Sequence, residues 1–108
     1  MADGQDKRKF TRYPLIADIR YESNSPILSA RISDISLGGL FIDTVNALEL
    51  DTKVKFSLVL PREFSADPIE GEGVVTWSQL TVGMGIRFTR MTRSDWEKIR
   101  AYIESSGT

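Results

Sequence analysis

From Leu15 to Phe88 the apolar residues of this chain recur at alternate positions, and a period of two leaves little room for anything but β-strands. Leu15, Ala17, Ile19 and Tyr21 make the first run, and Leu28, Ala30 and Ile32 make the second after the turn cluster at 22–26. Leu40-Phe-Ile42 is a short third run. Val54, Phe56, Leu58 and Leu60 form a fourth, which Pro61 ends. Ile69, Gly71, Gly73, Val75 and Trp77 form the fifth, and a turn at 78–81 leads into Val82, Met84, Ile86 and Phe88. Only the C-terminal end changes period. Thr92 reads as an N-cap with Asp95 three residues on, and Trp96, Ile99, Tyr102 and Ile103 lay one apolar stripe on a helix over about 93–104. The pattern predicts an all-β fold with one helix: a six-stranded antiparallel β-barrel with a C-terminal α-helix packed against it. Closure removes the strand edges that invite aggregation. Gly71 and Gly73 fall on the inner face, where a tight barrel is crowded. Trp77, Trp96 and Tyr102 are expected in the core.

At 108 residues the chain is the size of one domain, expected over 13–108. Charge is uneven along it. Lys7, Arg8, Lys9 and Arg12 against Asp3 and Asp6 leave residues 1–12 at +2 and, with the whole chain at −1, the remainder at −3. Phe10 is the one large apolar side chain in that first segment, which reads as a flexible basic arm. The chain has no Cys and no His. That excludes a disulfide framework, a thiolate zinc site, a cysteine nucleophile and an imidazole base. Glu70 and Glu72 are a carboxylate pair, but on an expected outer face with no base or metal ligand near them in sequence, so a solvated face is the better reading. No enzyme and no metal site are expected. A single-stranded nucleic-acid binder would need a basic groove with exposed aromatics, and the barrel region is acidic. DNA and RNA are therefore not expected partners. No apolar leader follows the basic residues, and the longest apolar stretches fall far short of the ~20 residues of a spanning helix. A cytoplasmic protein without membrane insertion is expected.

Two segments resist a purely structural account. In Arg8-Lys-Phe-Thr-Arg12, two guanidiniums four residues apart precede the first strand. Their planar forks suit phosphate or the O6/N7 edge of guanine; the plainer reading is a solvated basic tail. In Asp34-Ile-Ser-Leu-Gly-Gly39, Asp34 can accept from a guanine's N1 and N2 donors, and Ser36 can donate or accept. Gly39 allows a close approach that a Cβ would block. The plainer reading is a turn bonded to its own backbone.

Taken together, Arg-x-x-x-Arg at 8–12 and Asp-x-Ser-x-x-Gly at 34–39 resemble the signature of PilZ domains, bacterial receptors for cyclic di-GMP. Gly73-Val-Val-Thr-Trp77 and Gly83-Met-Gly-Ile-Arg-Phe88 look like the family's later strands, so the resemblance spans nearly the whole chain. It implies that Arg8 and Arg12 grip guanine edges and phosphates as the arm wraps the ligand. Asp34 and Ser36 would read the other guanine from the barrel surface, which Gly39 shapes. Lys7, Lys9 and Gly38 are expected as secondary contacts. Lys7 stands where the family varies between binding one ligand and binding a stacked pair. No further cofactor is implied. With no output domain in 108 residues, the signal is expected to pass through a partner protein. The alternative is a PilZ-type interaction module that binds no ligand and serves as a scaffold, for instance in motility or biofilm regulation.

Overall fold

Six alternating runs become six strands in the computed structural model, which describes residues 12–24 and 26–106; Lys7, Arg8 and Lys9 lie outside the described residues. The strands are β1 (Tyr13–Glu22), β2 (Leu28–Ile35), β3 (Gly39–Asp43), β4 (Lys53–Leu58), β5 (Ile69–Gln79) and β6 (Gly83–Met91). They close in the order β1-β2-β3-β6-β5-β4, every neighbouring pair antiparallel. The inward residues are those the alternation picks out: Leu15, Ile19, Tyr21, Ile32, Val54, Phe56, Leu58, Val75, Met84 and Ile86 are all buried. Each such aliphatic side chain removed from water contributes about 1.5–3 kcal/mol. Gly73 shows how tight the interior is, since a Cβ there would lie 2.4 Å from the Ile86 side chain and 2.6 Å from the Arg87 carbonyl.

The helix, α1 (Arg93–Ser106), runs two residues past the expected end. Thr92 caps it, its Oγ1 accepting from the Asp95 N–H at 3.1 Å. Asp95 in turn accepts from the backbone N–H of Glu70 at 3.2 Å, which ties the first turn of α1 to β5. Ile99 and Ile103 are buried against the barrel. Tyr102 packs at its margin, edge-on to Phe64, and its hydroxyl donates to the Pro14 carbonyl at 2.7 Å. This last contact holds the helix beside the start of β1.

The pairing shifts register at four places, and two of these shifts shape the outer wall. Along β2–β3 the pairing passes from Ile32↔Ile42 to Asp34↔Phe41, so Ser33 is an extra residue. That bulge lets Ile32 and Ile35 both point inward and turns Asp34 to the outer face. Along β5–β6 the pairing passes from Val75↔Ile86 to Trp77↔Gly85, making Thr76 the extra residue. Trp77 is thereby turned outward and is 42% exposed, not a core residue as the period predicts. Trp96 is only half-buried, with the Arg100 guanidinium 5.8 Å from its ring centroid. Leu60 is buried but lies beyond the end of β4, and Val82 is exposed and precedes β6. Among the described residues no helix is long and apolar enough to cross a membrane.

Candidate functional site

The two bulges bring one row of residues together on the outer wall. Asp34 on β2 pairs with Phe41 on β3, Phe41 with Gly85 on β6, and Gly85 with Trp77 on β5. Because Gly85 carries no side chain, the Phe41 and Trp77 rings meet across it, with centroids 5.0 Å apart and planes tilted by 42°. A cavity of about 490 Å³ opens over the row, and Arg12, Ser36, Gly39 and Arg87 are also among its lining residues. The structure thus collects Arg12, Asp34, Ser36, Gly38 and Gly39 around one depression.

The turn after β2 is held by Ser36. Its buried hydroxyl accepts from the N–H groups of Gly38 and Gly39 and donates to the Gly39 carbonyl, each at 3.2 Å. The Ser36 N–H donates to that same carbonyl at 2.8 Å, and the Gly38 carbonyl accepts from the Phe88 N–H at 2.9 Å. In this state the Ser36 hydroxyl is committed to its own turn. Gly39 is needed for close approach and not for a left-handed backbone. A Cβ there would fall 2.0 Å from the Ile86 carbonyl oxygen, and no described glycine has a positive φ.

Asp34 is the unsettled group. Its Oδ2 lies 3.8 Å from Arg12 Nη1 in a loose pair whose arginine side chain is 62% exposed. Its Oδ1 is buried and, among the described residues, has no hydrogen-bond partner. Burial raises the Asp34 pKa above the ordinary carboxylate value; Arg12 opposes that shift and Asp43 adds to it. A buried oxygen left unbonded is costly, and a ligand donor would relieve it.

Phe41, Trp77, Gly85 and Arg87 were not legible as site residues. Trp77 follows the fifth run without a break in sequence, and only the register shows that it faces out. A second cavity, of about 760 Å³, lies over β1, β4, β5 and β6. Its rim follows the cross-strand row Glu22↔Lys55↔Glu72↔Arg90, where charges alternate in sign, and no described residue of either motif lines it.

The barrel and its outer-wall site define a class. The family model of the PilZ domain matches residues 6–105, and the chain belongs to the PilZ domain family. Three solved structures share the fold. The Bacillus subtilis inhibitor of motility (MotI/DgrA) is 18% identical with a TM-score of 0.69, covering 91% of this chain and 52% of its own. The PilZ domain of CeSA from a cellulose-synthesizing bacterium is 17% identical with a TM-score of 0.65, covering 87% and 96%. The Borreliella burgdorferi PlzA protein in complex with c-di-GMP is 18% identical with a TM-score of 0.67, covering 94% and 43%. The chain therefore spans about half the length of MotI and of PlzA. No curated protein matches it.

Proposed function

We propose that this chain is a cytoplasmic receptor for cyclic di-GMP that works by binding, without turnover, and signals through a partner protein. The observation that carries the reading is the buried, unbonded Oδ1 of Asp34 in a cavity that also presents Arg12 and an aromatic wall. A guanine supplies two adjacent N–H donors, from N1 and N2, which match a carboxylate. Its ring can lie against Phe41 and Trp77, since stacking asks only for a π-face. Arg12 would exchange its loose contact with Asp34 for the ligand's phosphate or guanine edge, and Arg8 would join it from the arm. Ser36 and Gly39 contribute by holding the turn in shape, and Lys7, Lys9 and Gly38 are secondary. The family, and a relative whose structure contains c-di-GMP, support the same ligand.

Calorimetric titration with cyclic di-GMP, GTP and a short oligonucleotide tests the reading. Only cyclic di-GMP should bind tightly. Arg12→Ala should lower its affinity at least tenfold, because a charge-assisted hydrogen bond is worth about 1.5–3 kcal/mol and every ~1.4 kcal/mol is tenfold. Absence of cyclic di-GMP binding by the wild-type chain would overturn the reading in favour of an interaction module without a ligand.

A further inference from the structure

We infer that Arg87 is a ligand contact supplied by the barrel wall, the cation that receives a phosphate of the bound dianion; the inference rests on the cyclic di-GMP reading. Three of the six cations on the strands face a carboxylate in register, and of the other three, Arg20, Lys53 and Arg87, Arg87 alone lines the cavity of the candidate site. Arg31 is paired with Asp18 and Asp43, Lys55 with Glu22 and Glu72, and Arg90 with Glu72. Arg87 is paired with Gly39 on one side and Val74 on the other. It is exposed, it lines the cavity, and among the described residues its guanidinium has no hydrogen bond or ion pair. The other described cation at the cavity, Arg12, is already turned toward Asp34. Arg87 is thus the uncompensated positive charge among the described residues of the site.

Its position suits a second anionic group. Gly85 and Arg87 are two residues apart on β6, so both face outward and the guanidinium rises beside the gap between Phe41 and Trp77. Arg12 precedes β1, three strands away around the barrel, roughly 14 Å at the usual strand spacing. Two extended arginines reach toward each other over that distance, one at each end of a ligand resting on the aromatic wall. A planar guanidinium also pairs with phosphate through two parallel hydrogen bonds.

Titration of the full chain with cyclic di-GMP at low and high salt tests this, using Arg87→Ala, Arg87→Lys and Arg90→Ala. Arg87→Ala should weaken binding about tenfold or more and flatten the salt dependence. Arg87→Lys should recover part of the loss. Arg90→Ala removes the same net charge outside the cavity and should stay within about twofold. Melting temperatures should not move, because Arg87 is exposed; should the alanine variant unfold, Arg87→Gln repeats the measurement. Wild-type affinity in Arg87→Ala or Arg87→Gln, or an equal loss in Arg90→Ala, overturns the inference while leaving the ligand in place. A wild-type chain that binds no cyclic di-GMP removes both.

Discussion

Asp34 pays for its position in stability. Below the ordinary carboxylate range it is protonated whether the chain is folded or not. As pH rises, the unfolded chain releases its proton first, because burial raises the folded value. The stability that protonated Asp34 allows is therefore lost as pH climbs through the folded pKa. Asp34→Asn, of nearly the same shape, should melt above wild type at pH 7, with the advantage gone in the acid range, while binding cyclic di-GMP more weakly. Thermal melts across pH 3–8 check this, and a lower melting point at pH 7 would show that the Arg12 pair outweighs burial. Two glycines make a second comparison. Gly39→Ala places a Cβ against the Ile86 carbonyl and should cost about 1–3 kcal/mol or more. At Gly85 the nearest atoms to a Cβ are ordinary contacts at 3.6 Å from Phe41 and Trp77, so Gly85→Ala should stay within about 0.5 kcal/mol. Denaturant unfolding of both variants separates the two kinds of glycine.

Among elements, the strands and the helix were legible because each buries one face, and burial writes its period into the sequence. The helix start was legible too, since an N-cap is a chemical signal. Thr92→Ala should cost about 1 kcal/mol, and Ile99→Ala about 2–5 kcal/mol, both read from melting curves. Asp34, Ser36 and Gly39 could be singled out because their spacing resembles a family signature. The outward turn of Trp77 could not. A bulge is one extra residue, and neither Ser33 nor Thr76 is the glycine or proline that would announce one. Their hydroxyls do have a use that only the register shows. Ser33 Oγ donates to the Phe41 carbonyl at 3.4 Å and Thr76 Oγ1 to the Gly85 carbonyl at 3.5 Å, each across the ladder the bulge interrupts. Arg87 escaped notice for the same reason, since its lack of a facing carboxylate is a fact about neighbouring strands.

For the whole molecule, the closed ring makes position a matter of counting. A strand in an open sheet that loses a residue can slip against one neighbour and fray at its free end. This barrel has no free end, because β4 returns to β1, and the offsets between successive strands must add to the same total on coming full circle. An error of one residue therefore has to be absorbed by all six strands or by none. Thr76→Ala should be mild, within about 1 kcal/mol, since it keeps the count and loses only a long, exposed hydrogen bond. Deleting Val74, which is paired in register with Lys53 and Arg87, should abolish the cooperative melt and the near-ultraviolet circular dichroism of the aromatic residues, because Gly73 and Val75 could no longer both face inward. If the deletion melts like Thr76→Ala, the ring is more forgiving than its closure suggests. Otherwise the site can exchange residues freely over time but can hardly gain or lose one, and its spacing is preserved by the geometry of the ring even where the identities of its side chains are not.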